Sequence, residues 1–182
     1  MLIVLSIIFA VIALYVIFWQ GCLLFSIILH APTVYSNNTA VIDALKLAEL
    51  KKDELVVDLG CGNALTLITA VKKFGAKGVG VEISPYCVIA SRLNILRAGQ
   101  QKKVKVYLGD FKKIEDKLQK ADVVYLYLLD SGLRKIEDWF FANLKPGTRV
   151  VSMSFQFSKH EPTKIIETTN LGSKTKVRLY LK

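Results

Sequence analysis

"LVVDLGCGNALTL", residues 55–67, decides the fold. An apolar run ends at Asp58 and Leu59, Gly60-Cys61-Gly62 follow, and helix-forming residues return at once. A short apolar run of this kind reads as a buried strand. Two glycines spaced by one residue read as a tight turn whose backbone can approach a ligand with no Cβ in the way. Residues 64–74 then read as a helix whose N-terminus points at whatever the turn holds.

The same alternation repeats on both sides. Residues 39–50 have helical spacing, with Asn38 as a cap. A strand is expected over 78–82, a helix from Pro85 to about Arg97, a strand over 104–108 and a short helix over 112–118. Residues 122–129, "DVVYLYLL", form the most apolar strand and are expected at the centre of the sheet. A helix from about Leu133 to Asn143 precedes a fifth strand over 148–155, with no clear helix after it. Residues 163–169 and 176–182 flank "NLGS" as an antiparallel hairpin. The expectation is an α/β fold: a doubly wound, mostly parallel seven-stranded sheet covered on both faces.

Charge divides the chain. The net charge is +10, yet residues 1–42 contain no Lys, Arg, Asp or Glu; the first charge is Asp43 and the first cation Lys46. Leu2 to Leu29 is almost unbroken apolar sequence, longer than the roughly 20 residues that cross a bilayer. Between Leu2 and Gln20, thirteen Leu, Ile, Val or Phe side chains favour insertion, by about 4–8 kcal/mol together. A cleaved signal peptide would want a positive leading region, a shorter apolar run and a small-residue cleavage site. None is clear, so residues 1–30 read as a transmembrane anchor and residues 31–182 as one domain. All 25 cations follow the anchor, which places the domain on the cytoplasmic side. A mitochondrial address is the other compartment considered, but the Arg-rich amphipathic signature of a transit peptide is missing.

The three cysteines, Cys22, Cys61 and Cys87, form no CxxC pair or Cys/His cluster, so disulfide and zinc readings are poor and no metal is expected. His30 and His160 read as linker or surface residues. The basic doublets at Lys51, Lys72, Lys102 and Lys112 read as a solvated face, with anionic lipid as the alternative. Nucleic acid is disfavoured, because the anchor holds the domain at a membrane and no recognition motif occurs.

Ligands of such a sheet bind beyond the carboxyl ends of the strands. Glu82 ends the second strand 22 residues after Gly60, where a carboxylate can grip a ribose diol. Gly109-Asp110-Phe111 closes the third strand with an acid for an exocyclic amine and a ring to cover an adenine face. Asp58 can orient the loop and hold a cationic aminoacyl group. Leu65 stands where a dinucleotide fingerprint needs its third glycine, so a nucleoside without a pyrophosphate fits better.

With these motifs in place, the chain resembles the class I S-adenosylmethionine-dependent methyltransferases, with their Rossmann-like sheet. "VVDLGCGNA" is similar to their first motif, "VGVEIS" to their acidic second strand, "LGDF" to their adenine turn and "ADVVYLYLL" to their fourth strand, over about residues 37–154. Ala64 replaces a usual third glycine, and Asn63 a frequent acid. The resemblance implies S-adenosyl-L-methionine as cofactor, held by Asp58, Gly60, Cys61, Gly62, Glu82, Ile83, Asp110 and Phe111. Anchor, Pro32-containing link and domain together resemble the small membrane-anchored protein-lysine methyltransferases. Mitochondrial members of that family modify the adenine nucleotide carrier and the ATP synthase c-subunit, and prokaryotic relatives exist. The implied partner is therefore a lysine of a membrane protein.

Removing the proton from a lysine acceptor costs roughly 4–5 kcal/mol at pH 7. Tyr127 and Asp130, at the end of the fourth strand, are the candidate catalytic residues, with Tyr35 and Asn37 as weaker ones. No His or second acid is obviously placed as a general base. Cys61 reads as a small filler of the loop rather than a nucleophile. Three functions stay open: the lysine methyltransferase, a methyltransferase of a lipid or quinone-like molecule, and a non-catalytic membrane-tethered nucleoside-binding module.

Overall fold

A computed structural model describes residues 2–28 and 36–182, with the side chains of residues 22–28 left aside. His30, Pro32 and Tyr35 therefore lie outside the described residues. Helix α1 (Leu2–Ile28) runs for 27 residues. By length and composition it can cross a membrane, and none of its apolar window is buried against protein.

The remaining elements are α2 (Asn38–Leu47), β1 (Leu55–Leu59), α3 (Leu65–Phe74), β2 (Lys77–Glu82), α4 (Pro85–Arg97) and β3 (Val104–Leu108). A 3-10 turn (Phe111–Ile114) runs into the short α5 (Glu115–Leu118). Then come β4 (Val123–Leu126), α6 (Asp130–Ala142), β5 (Arg149–Met153), β6 (Lys164–Asn170) and β7 (Ser173–Leu181). The strands form one sheet in the order β3-β2-β1-β4-β5-β7-β6. The first five are parallel, and β7 pairs antiparallel with both β5 and β6. β4 takes the middle position expected of the most apolar strand. Strand order reverses between β1 and β4, so a crevice opens beyond their carboxyl ends.

Alternation along the strands builds two apolar layers. Val56 of β1, Tyr125 of β4 and Val151 of β5 face α2 and α3. Val57, Leu59, Val124, Leu126 and Val150 face α6, where Phe140, Phe141 and Phe157 pack ring against ring. Edge-to-face and offset ring pairs of this kind add to area burial.

Several boundaries differ from the sequence reading, for local reasons. The cap of α2 is Asn37, whose Oδ1 accepts the Ala40 amide at 2.8 Å, and Asn38 is already helical. The expected helix over 112–118 is split between a 3-10 turn, Phe111–Ile114, capped by Asp110 accepting the Lys112 amide at 3.0 Å, and the α-helical Glu115–Leu118. β4 stops at Leu126, so Tyr127 lies past the strand, and α6 starts at Asp130, three residues early. The turn of the β6–β7 hairpin is Leu171-Gly172, both with positive φ, the geometry that matches strand twist.

No helix occurs between β5 and β6, as expected. Instead residues 154–163 are pinned to α6 by Glu137, which is 1% exposed. Its carboxylate accepts the Ser158 amide (2.9 Å), the Lys159 amide (2.7 Å) and the Ser158 hydroxyl (2.5 Å). His160 Nδ1 lies 2.9 Å from the same carboxylate, and its ring stacks on Phe141 at 3.6 Å. His160 is thus part of a packed network rather than a plain surface residue.

Candidate functional site

The turn after β1 is built as its glycines suggested. Gly60 and Gly62 have φ of +80° and +50°. The amides of Gly60 and Cys61 donate to the Val81 carbonyl at 2.9 and 3.1 Å, which folds the turn onto β2. Ala64, where a third glycine is usual in similar chains, adopts φ +65°. A left-handed alanine costs roughly 1 kcal/mol, offset here by complete burial of its methyl group. Asn63 Oδ1 accepts the Leu65 amide at 3.1 Å and so starts α3, while Asn94 of α4 donates to the Asn63 carbonyl at 3.1 Å. The turn is tied to both neighbouring helices.

Glu82 reaches into this turn. One carboxylate oxygen accepts the Gly62 amide and the other the Ser84 amide, both at 2.9 Å, and the residue is 8% exposed. The Gly109 amide donates to the Glu82 carbonyl at 2.9 Å, so the Gly109-Asp110-Phe111 turn stands directly beside it. Asp110 is exposed, Phe111 and Ile83 are half-buried, and Phe111 packs against the α6-side core. The structure thus brings Gly60, Gly62, Glu82, Ile83 and Asp110 to one rim.

Asp58 lies beneath that rim, 3% exposed and level with Gly80 and Tyr125. Burial pushes its pKa up to about 7; the Thr66 hydroxyl holds it down in part, and the nearby Glu82 charge raises it further. Thr66 also reaches Tyr125, whose phenol lies 2.9 Å from Ser36 Oγ. Burial pushes that phenol well above its ordinary range. Asp58, Thr66 and Tyr125 thus form one polar group beneath the rim, and the Tyr125 phenol meets Ser36 at its edge. Sequence reasoning missed Thr66 and Ser36; the one available signal was a hydroxyl in the first turn of α3, facing the strand that carries Asp58.

Cys61 fills the loop. It is 5% exposed, and burial pushes its thiol well above the ordinary range, with the Asp58 and Glu82 charges adding to the effect. A Cβ on Gly80 would sit 2.6 Å from Cys61 Sγ and 2.8 Å from Leu67 Cδ1. Gly78 and Gly80 thus let α3 lie close on β2. We expect Gly80→Ala to lower stability by about 2–3 kcal/mol through forced repacking, and to weaken ligand binding by displacing the Cys61 turn. Thermal melting and ligand titration of the variant check both effects.

Tyr127 and Asp130 follow the carboxyl end of β4, on the crevice side of the sheet. Tyr127 is half-buried against the α3-side core. Asp130 is half-exposed and paired with Arg134 at 2.7 Å. Leu128, between them, stands 3.3 Å from where a Cβ on Gly60 would lie. Asn37 is fully engaged in capping and in bonds to the β6–β7 hairpin: its amide donates to Asn170 Oδ1 at 2.8 Å and its Nδ2 to the Thr169 carbonyl at 3.1 Å. No cluster of three metal-ligating side chains occurs among the described residues.

The rim suits a nucleoside bearing a positive charge. Gly62 leaves open space, Glu82 is oriented by two amides, and the buried Asp58 gains most from a cation overhead. Comparison with known proteins agrees. Residues 58–164 match the ANTKMT methyltransferase domain. A protein-lysine N-methyltransferase of Saccharolobus islandicus is 32% identical over 153 residues, covering 84% of this chain and 94% of that protein. A ribosomal protein L11 methyltransferase of Vibrio cholerae is 32% identical over 67% of this chain, which spans only 42% of that protein's length. Among solved structures, an RNA methyltransferase from Salinibacter ruber in complex with S-adenosyl-L-homocysteine superposes with a TM-score of 0.74. It is 33% identical and covers 81% of this chain and 93% of its own. The glycine turn, the acid that it clasps and these likenesses lead to one conclusion: the chain belongs to the ANTKMT methyltransferase domain family and is an S-adenosylmethionine-dependent class I methyltransferase.

Proposed function

We propose that α1 anchors this enzyme in a membrane, with residues 31–182 on the cytoplasmic side, and that it methylates a lysine of a neighbouring membrane protein. The observation that carries the acceptor is the 32% identity to a protein-lysine N-methyltransferase along nearly that protein's whole length. The membrane half is supported by the uncharged 27-residue α1 and by the position of all 25 cations after it.

In this reading Glu82 holds the ribose hydroxyls, Gly60, Cys61 and Gly62 pass along the ligand backbone, and Asp58 faces the charged aminoacyl end. Ile83, Asp110 and Phe111 enclose the adenine. When bound, S-adenosylmethionine supplies an electrophilic methyl group on a sulfonium. The chain's own residues align the acceptor and exclude water. Asp130 attracts the lysine ammonium to the mouth of the crevice, in competition with Arg134. The ammonium releases its proton to water at the mouth of the crevice, and Tyr127, half-buried and outside the strand ladder, accepts a hydrogen bond from the neutral amine and orients its lone pair. Tyr127→Phe is expected to lower kcat at least tenfold with the cofactor Kd unchanged, read by steady-state kinetics beside calorimetry.

Asp58 gives the binding a pH dependence. Without ligand its raised pKa means that the acid is protonated below about pH 7. Binding of a cation favours the carboxylate, so affinity should rise about tenfold between pH 6 and pH 8. Asp58→Asn should flatten that slope. The same linkage makes the unliganded protein lose stability as pH rises from about 3.8 to about 7, because the unfolded chain gives up this proton first.

The acceptor is tested by incubating the enzyme with isolated membranes and tritiated methyl donor. Label in methyl-lysine after protein hydrolysis is the expected result. Label that leaves with the lipid extract, or with ribonuclease digestion, would replace the lysine reading with a lipid or an RNA acceptor.

A further inference from the structure

This inference rests on the anchored reading and goes beyond it. Residues 83–109 contain five cations, Arg92, Arg97, Lys102, Lys103 and Lys105, and no acid. They make α4 and β3, the edge of the sheet. α4 turns Cys87, Val88, Ser91 and Ile95 inward. Its outer face is not polar: Ile89, Leu93 and Leu96 are 50%, 46% and 58% exposed. Their spacing of four and then three residues puts them in one stripe. Arg92 stands about 60° to one side of Ile89 and Arg97 about 80° to the other, at 3.6 residues per turn.

Single exposed leucines are ordinary on a protein surface. A stripe of three with a guanidinium on each shoulder matches a helix lying in a bilayer interface: the stripe enters the acyl boundary, and the arginines stay at the phosphates. Between α4 and β3 lies an open cleft of about 360 Å³, with Arg92 and Lys105 beside an aliphatic wall that includes Val104 and Val106. One guanidinium N–H of Arg92 donates to the Val106 carbonyl at 3.3 Å, which holds that cation at the cleft. α1 touches α4, yet the stripe remains exposed with α1 present. The anchor thus brings α4 to the membrane without covering it.

We propose that the Ile89-Leu93-Leu96 face of α4 docks on an anionic bilayer, with Arg92, Arg97, Lys102, Lys103 and Lys105 on lipid phosphates. α4 begins three residues after Glu82. Docking there sets the nucleoside rim beside the membrane and fixes the orientation in which a membrane acceptor is met.

The test uses the full chain with Cys22→Ser and Leu93→Cys, spin-labelled at 93, in vesicles of phosphatidylcholine and phosphatidylglycerol. A Lys164→Cys label is the aqueous reference. The expected result is greater access of oxygen than of a nickel chelate at 93 and the reverse at 164. The ratio at 93 should fall at least threefold in pure phosphatidylcholine, or with Arg92→Gln and Arg97→Gln together. A label at 93 as aqueous as that at 164 overturns the docking, as does a label shielded from both agents, which marks a protein partner. Carbonate flotation of the same vesicles reads the anchor separately. A chain that floats with an aqueous 93 loses only the docking. A chain stripped by carbonate after a lipid-exposed 93 keeps the docking and loses the anchor. Failure to bind vesicles at neutral pH overturns both.

Discussion

Glu82→Ala should weaken S-adenosylmethionine and S-adenosylhomocysteine binding by a hundredfold or more. The carboxylate is almost fully buried, and each oxygen already accepts one amide, from Gly62 or Ser84. Each oxygen has a further lone pair, enough for two ribose hydroxyls to be held at once. Two charge-assisted bonds at about 1.5 kcal/mol each, the low end of their range, already amount to two decades of affinity. Glu82→Gln keeps the shape but can accept fully on only one side, and should fall between the two. Calorimetric titration of the detergent-solubilised full chain measures this, with a thermal melt to confirm that the variant is folded. A folded Glu82→Ala protein with unchanged affinity would remove the ribose role and with it the proposed pose.

The largest effect on stability is expected at Glu137, far from the rim. Burial alone would raise its pKa. The His160 imidazole, the Ser158 hydroxyl and the amides of Lys159 and Ser158 together outweigh burial and hold it down at about 2, against an ordinary 4.5. Glu137→Ala leaves two amides and an imidazole without their acceptor inside the protein, a loss of about 3 kcal/mol. In a chain of this size that is about 10 °C in Tm. The pH sign follows from the depressed value. The contribution is fully present above about pH 4.5 and is lost as pH falls toward 2. Acid titration of the wild type should therefore show a loss of stability across that window that Glu137→Ala lacks. Equal acid sensitivity in both would show that another carboxylate controls it.

Much of this was legible in the residues. β1, its glycine turn and the acid ending β2 were readable because each obeys a local rule: apolar run, backbone freedom, charge at a strand end. The bounds of α4 were readable because Pro85 starts it and the apolar spacing carries it to Arg97. What escaped was non-local. "DVVYLYLL" has strand composition throughout, yet only Val123 to Leu126 find partners on β1 and β5, so Tyr127 leaves the ladder. His160 had no neighbour in sequence that named Glu137. The signal lay in α6 instead, where Glu137 falls on the same stripe as Leu133, Phe140 and Phe141, an acid at a core position. The grouping of Asp58, Thr66, Tyr125 and Ser36 was hidden for the same reason, since its members come from four separate segments.

The bonds of Asn37 to the β6–β7 hairpin, and of Asp43 to Thr168 at 2.6 Å, also set an order of events during synthesis. α2 is thus completed by β6, more than a hundred residues further along the chain. α2 packs on α3 from the start, but β6 joins the sheet only through β7, so these bonds can form only after β7 has emerged. The clasp between α2 and β6 is therefore a late event in folding, and a chain cut before β7 should leave the buried face of α2 without these bonds.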